Sequence, residues 1–162
     1  MDMEYLNTYD KYKNRLDKKI ERGTKLNKDE HILISILFIR NSNGKYLIQK
    51  TSQEKGGLYS STGGHVLYNE NSLDAIKREC KEELGLYIDE YKLNYIGTLL
   101  INVPFFDIYY LESDININSL KLQREEVNDI IWLTKDEIYN LIDNDLFTKS
   151  HGIIFKNIID KK

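Results

Sequence analysis

Three glutamates, Glu79, Glu82 and Glu83, are the residues whose type and spacing speak most directly of chemistry; they lie within Arg78-Glu79-Cys80-Lys81-Glu82-Glu83-Leu84-Gly85. At positions i, i+3 and i+4 a helix brings all three carboxylates to neighbouring places on one face, where each like-charged pair costs about 0.2–0.5 kcal/mol. Glu82 and Glu83 also fall in the last helical turn, where the helix dipole disfavours anions. Arg78 and Lys81 offset part of this cost. A divalent cation held among the carboxylates would turn both penalties into attraction. A solvated acidic face is the plain alternative, because Glu-rich turns are common on helix surfaces.

The elements that must position these side chains are legible from periodicity. From Ser72 to Leu84 the apolar residues Leu73, Ile76, Cys80 and Leu84 recur at intervals of three and four, the stripe of an amphipathic helix. Asn71 or Ser72 is placed to cap its start and Gly85 to close its end. Upstream, Ile32 to Ile39 reads as a largely buried strand, Asn43-Gly44 as a turn and Tyr46 to Gln49 as its return strand. Short strands are expected at Leu58 to Thr62 and Val66 to Tyr68, around a tight corner at Gly63-Gly64. Downstream, Leu93 to Asn102, Phe105 to Leu111 and Val127 to Leu133 read as strands. Thr134 with Glu137 forms a capping box for a helix over Lys135 to Ile142, and a last helix is expected near Phe147 to Ile159. Mixed strands with few helices predict an α/β (α+β) layered domain.

Composition narrows the setting. A chain of 162 residues with 41% apolar and 30% charged residues has the size and make-up of one folded domain rather than a disordered polymer. No linker or repeat divides it, so residues 1–162 are expected to form a single domain, with residues 1–30 packed on it as an extension. A net charge of −3 gives no strong pull toward a nucleic acid polymer or an anionic membrane. The longest apolar run, Ile32 to Ile39, is too short to span a bilayer, and the polar start MDMEYLNTYDKYKNR is not a signal peptide. One cysteine makes no internal disulfide, so the expected compartment is the reducing cytoplasm.

The spacing around the acidic helix adds a further constraint. Gly64 is followed after five residues by Glu70, after seven more by Arg78-Glu79, and then by Glu82-Glu83, Gly85 and Leu86. This run resembles the Nudix box, and every charged and glycine position of that pattern is filled across the 23 residues Gly64 to Leu86. Cys80 departs from it by standing where the family usually has Leu, Ile or Val; it falls on the buried stripe, where a free thiol behaves as a small hydrophobe. The segments His31 to Ser52 and Ser60 to Val66 look like those of Nudix proteins related to isopentenyl-diphosphate isomerase. Such isomerases use a cysteine just upstream of the box for proton transfer. Here Ser60, Ser61 and Thr62 occupy that neighbourhood, which ranks isomerisation below hydrolysis.

The resemblance implies an α/β/α sandwich with a mixed central sheet, and a Mg²⁺- or Mn²⁺-dependent pyrophosphohydrolase that cleaves a small-molecule diphosphate, commonly a nucleoside diphosphate joined to another group. A non-catalytic nucleotide-binding module is the reading from another class. By the match Glu82 and Glu83 would be the main metal ligands, and Glu79 would ligate metal or act as base. Arg78 would orient the carboxylates, Glu70 would steady the loop, and the Gly63 carbonyl is a further candidate ligand. Glu125 and Glu126 stand where many Nudix proteins carry one more acid for the metal site, Glu126 being the favoured one. Family members often dimerise, so a homodimer fits the resemblance. Gly63-Gly64 either lets the backbone approach metal and phosphates closely or supplies a turn of positive φ. His65, next to the glycines, is a candidate substrate contact; a lone histidine on a strand more often makes ordinary hydrogen bonds. Phe105, Phe106, Tyr109 and Tyr110 are the densest aromatic group, and strand alternation would allow at most half of them to line one pocket.

Overall fold

In the computed structural model, which describes residues 3–162, a hairpin of β1 (Tyr5–Tyr9) and β2 (Arg15–Glu21) comes first and forms its own two-stranded sheet. Strands β3 (Leu33–Arg40), β4 (Tyr46–Thr51), β5 (Tyr59–Ser60) and β6 (Thr62–His65) lead into helix α1 (Ser72–Leu84). Strands β7 (Asn94–Leu100), β8 (Phe105–Glu112) and β9 (Val127–Leu133) follow, then helices α2 (Lys135–Asp143) and α3 (Lys149–Asn157). Strands β3 to β9 make one seven-stranded sheet with the order β5-β4-β3-β8-β7, in which β6 also pairs with β3 and β9 with β4. The β3–β8 pair is parallel and its neighbours are antiparallel, so the sheet is mixed, as expected.

The continuous apolar run of β3 is that of a strand covered on both faces. Ile36 and Phe38 point into the core shared with Ile138, Ile154 and Phe155 of α2 and α3, while Leu37 and Ile39 point into the core shared with Ile76, Cys80 and Leu84 of α1. Strand β8 alternates in the same way, Phe106 and Tyr110 to one side and Phe105 and Tyr109 to the other. All four rings are buried, and the Tyr109 hydroxyl lies 2.7 Å from Ser72 Oγ. These aromatics are core, not a surface for stacking a ligand.

Helix α1 spans the residues that its periodicity marked out. Asn71, not Ser72, is its cap: the Asn71 side chain accepts from the Asp74 amide at 2.8 Å and the Asp74 carboxylate receives the Asn71 amide in return. Gly85, at φ 64°, ends the helix and donates back to the Cys80 and Lys81 carbonyls.

Several features differ from the sequence expectation: Val66 to Tyr68 is not a strand but an isolated bridge at Leu67 running into a turn, and three others concern the glycines, the amino-terminal segment and the last helix. Gly63-Gly64 is not a corner of positive φ but the middle of β6, with Gly63 opposite Ile36 and Gly64 opposite Ser35. The reason for glycine is closeness: a Cβ on Gly63 would stand 2.3 Å from the Ser35 carbonyl oxygen, and one on Gly64 would stand 2.4 Å from Glu79 Oε1. A further difference is the β1–β2 hairpin, which runs where only a packed extension was expected. Bridges from Leu6 to Leu67 and from Tyr9 to His31 fasten it. Its tip is pinned by Lys13, which pairs with buried Asp107, and its return strand by Arg15, whose guanidinium donates to the Glu70 carbonyl at 3.1 Å. The last helix is shorter than expected, and a single 3₁₀ turn at Ile159–Lys161 follows it.

Candidate active site

Arg78 organises the acidic face. Its guanidinium grips Glu70 with two bonds, Nε to Oε2 at 2.7 Å and Nη2 to Oε1 at 3.1 Å, and Nη2 also donates to the His65 carbonyl at 3.1 Å. Nη1 donates to Glu79 Oε1 at 2.9 Å and to Glu82 Oε2 at 3.3 Å. Burial works against its charge, but Glu70 and Glu79 hold its pKa above the usual value. Glu70 in turn accepts the Leu67 amide at 2.9 Å, so one arginine ties the loop before α1 to the helix itself. Bidentate guanidinium–carboxylate geometry of this kind fixes orientation as well as charge.

Glu79 and Glu83 are the electrostatic anomaly. Burial raises the Glu79 carboxyl to about 7 in spite of its ion pair with Arg78. Burial and then the charge of Glu79 raise Glu83 to about 8, although the Thr62 hydroxyl donates to Glu83 Oε1 at 3.0 Å. Glu83 is only 8% exposed. Arg78 pairs with Glu79 but not with Glu83, so together the two carboxylates lack a full complement of positive charge. Cys80, next to Glu83 around the helix and turned into the core, is wholly buried, and burial pushes its thiol pKa upward.

A cleft of about 300 Å³ gathers Gly63, Gly64, His65, Glu79, Glu82, Glu83 and Glu126 on its walls. Glu125 is not part of this wall; its carbonyl accepts the Ser52 hydroxyl instead. Glu126 lies 3.5 Å from the Lys55 ammonium. The His65 ring is held neutral, its pKa lowered to about 4 by burial and by Arg22. Among the described residues no three His, Cys, Asp or Glu side chains are drawn into a set ready to close on a metal ion. Arg78 takes Glu79 and Glu82, and Thr62 holds Glu83. The donor set is carboxylate and carbonyl oxygen, which suits a hard divalent cation. Mg²⁺ is usually held by one or two carboxylates with waters and substrate phosphates, so a closed protein cage is not required. The uncompensated pair Glu79 and Glu83 is where such a charge fits.

The NUDIX domain family model matches residues 30–153. The chain belongs to the Nudix family. It is 35% identical over 121 residues to an uncharacterized Nudix hydrolase of Listeria innocua, a match that covers 72% of each chain. It is also 31% identical over 85 residues to the NAD-capped RNA hydrolase NudC of Mannheimia succiniciproducens, covering 52% of this chain and 31% of that one. Among solved structures, the DR0079 protein of Deinococcus radiodurans superposes with a TM-score of 0.77 at 22% identity, over 90% of this chain and 92% of that one. Nudix hydrolases are generally enzymes of pyrophosphate bonds and typically use divalent metal ions.

Four residues of this Nudix cleft were not singled out from the sequence: Glu4, Arg22, Lys55 and Gln123 also line it. Arg22 and Glu4 arrive on the β1–β2 hairpin, where they form an ion pair of 2.7 Å. The strand-forming residues Tyr5, Thr8 and Tyr9, and the turn residues Asp10 to Asn14, were the available signal for that hairpin. Nothing local announces that its end reaches an acidic helix nearly sixty residues further on.

Proposed function

We propose that this protein hydrolyses a diphosphate linkage in a nucleoside diphosphate derivative or related compound, by attack of water at phosphorus, with Mg²⁺ or Mn²⁺ at the carboxylate cleft. The observation that carries the reading is the buried pair Glu79 and Glu83, short of positive charge and facing a cleft walled by Glu82, Glu126 and Gly63. Glu79, Glu82 and Glu83, with Glu126 and the Gly63 carbonyl, would hold the ion. When bound, the ion neutralises the diphosphate and acidifies water at the site. Arg78 keeps Glu79 and Glu82 turned toward the cleft, through one Nη1 that both share. Glu79 has Oε1 on Arg78, and its Oε2 is the acceptor we assign for the proton of the attacking water. As the water oxygen bonds to phosphorus, the bridging P–O bond breaks and the leaving phosphate carries off the electron pair. Glycine at position 64 leaves the room that a side chain would take from Glu79, and the neutral His65 ring is a wall against which phosphate oxygens can rest.

Isomerisation of the isopentenyl-diphosphate type is the weaker reading for these residues. Ser61 Oγ lies 3.0 Å from His151 Nδ1, a ring kept neutral by burial with a pKa of about 4, and the Thr62 hydroxyl is given to Glu83. Neither hydroxyl stands free to move a substrate proton. We take residues 1–162 as one Nudix domain with residues 1–30 packed on it, acting on a small-molecule diphosphate in the cytoplasm.

The test is a panel of nucleotide and non-nucleotide diphosphates incubated with MgCl₂, with released phosphate followed after phosphatase coupling, and a parallel incubation in ¹⁸O-water without phosphatase whose direct products are read by mass spectrometry. Metal-dependent release with one ¹⁸O in the product is expected, and Glu82→Gln should lower it at least tenfold. Full turnover by folded Glu82→Gln and Glu83→Gln variants, or no cleavage of any compound, overturns the reading. Binding without product would instead support the non-catalytic module.

A further inference from the structure

At the other end of β4 from the carboxylate cleft, a groove of about 780 Å³ is walled by Arg40, Lys92, Lys135 and Lys162 together with Glu112 and Asp160. The two sites share no wall residue. Tyr46 opens β4 beside the groove, while Ser52, just past the far end of that strand, donates its amide to the Glu126 carbonyl at the cleft. Both acids of the groove are engaged locally: Asp160 takes the Lys135 ammonium at 3.2 Å and the Tyr139 hydroxyl, and Glu112 takes the Tyr110 hydroxyl at 3.1 Å. Among the described residues no acidic side chain comes within ion-pair distance of Arg40, Lys92 or Lys162. Arg40 is the clearest case. It ends β3, partly buried, and its Nε is sealed from solvent with no hydrogen-bond partner. Its guanidinium carbon lies 5.9 Å from the centre of the Tyr46 ring, and a Cβ on Gly44 would stand 3.2 Å from Nη2, so the turn after β3 keeps open the space that the guanidinium fills. A guanidinium held in this way has given up hydration at Nε without gaining a partner for its charge.

We propose that this groove is a second anion site of the protein, which takes the phosphate dianion of a phosphate monoester or of inorganic phosphate, with Arg40 as its anchor. The inference does not rest on the hydrolase reading of the cleft. Two features select a phosphate. Four cations face two carboxylates across the groove, an excess that one dianion balances and a carboxylate ligand would leave half unmet. Arg40 supplies the planar donor fork that matches a pair of phosphate oxygens, while exposed Lys92, Lys135 and Lys162 act as point charges around it. The site stands ready without metal, because its positive charge comes from side chains alone.

The experiment titrates the full chain, with no divalent metal added, with inorganic phosphate, methyl phosphate and acetate in a Tris chloride buffer at alkaline pH, where phosphate is a dianion. Calorimetry reads the affinity and backbone amide NMR reads the place. Without metal the carboxylate cleft carries more acids than cations and repels phosphate, so the two sites are separated by charge. Saturable binding with Kd on the order of 1 mM or tighter is expected, with shifted amides gathered at Arg40, Gly44, Asn94 and Lys135. Arg40→Gln should weaken phosphate at least tenfold. Arg40→Lys, which keeps the charge and loses the fork, should weaken it severalfold. Lys92→Gln, an exposed position that does not bear on folding, should also weaken it severalfold, and Lys28→Gln, outside the groove, should change nothing. Methyl phosphate binding as well as phosphate supports a monoester as the ligand, and binding of phosphate alone supports the free ion. No saturable binding of either, equal binding of acetate, unchanged affinity in both Arg40→Gln and Lys92→Gln, or shifts gathered at Gly63 to His65 overturns the inference. No turnover is measured, so failure here leaves the hydrolase reading of the cleft standing, and failure of that reading leaves this site standing.

Discussion

Replacing Glu83 by glutamine should make the metal-stripped protein more stable at alkaline pH, and the size of the effect follows from the site. The folded protein holds the Glu83 proton until about pH 8, whereas the ordinary value is 4.5. A group held more tightly in the folded state contributes stability that is whole below pH 4.5 and is lost as pH rises through 8. With Glu83 only 8% exposed, the full loss by pH 9 is on the order of 3–5 kcal/mol. That is a large part of the roughly 5–15 kcal/mol that holds an ordinary domain together. Glutamine keeps an oxygen to accept the Thr62 hydroxyl, so the variant loses little at pH 5. The assay is urea unfolding of both proteins by circular dichroism at pH 5, 7 and 9 in EDTA, then at pH 9 with excess Mg²⁺. The wild type should lose several kcal/mol more than the variant between pH 5 and 9 in EDTA, and should regain it with Mg²⁺ while the variant does not. Parallel pH curves for the two proteins would refute the claim that a buried, uncompensated carboxylate waits here for a cation.

The paired glycines should separate stability from activity. Gly63→Ala drives a Cβ against the fixed Ser35 carbonyl and should cost about 2–3 kcal/mol in urea unfolding. Gly64→Ala meets side-chain atoms of Glu79 rather than backbone and must push that carboxylate off Arg78, so unfolding should shift by about 1 kcal/mol while turnover falls at least tenfold. Arg78→Lys retains the charge but loses the fork on Glu70 and the bond to the His65 carbonyl; hydrolysis should fall at least tenfold, read from initial rates, with the circular dichroism spectrum unchanged. Native Cys80 should resist an aromatic disulfide reagent at pH 8 and react fully in urea, since its thiol is wholly buried and its pKa is raised; rapid reaction of the folded protein would contradict its place in the core.

Much of the architecture could be read directly from local pattern. The stripe Leu73, Ile76, Cys80 and Leu84 and the end at Gly85 marked out α1 to the residue, and Val127–Leu133 emerged as β9 with the expected bounds. Placement of Glu79, Glu82 and Glu83 on one helix face follows from 3.6 residues per turn and needs no other part of the chain. Arg78 beside Glu79 and Glu82 was legible from the same spacing, and tertiary structure decided which further groups meet those acids. Their repulsion is relieved in part by Arg78, but the same guanidinium is shared with Glu70, eight residues earlier, and Glu83 is answered by Thr62 from a strand. Packing likewise turned Gly63-Gly64 from an expected corner into a strand under Ser35, and carried Arg22 and Glu4 to the cleft on a hairpin. Helical spacing is set by bonds between near neighbours and is therefore written in the order of residues. Burial, and the pKa values and ion pairs that depend on it, come from surfaces far apart in the chain that meet only when the sheet and its two helical layers close.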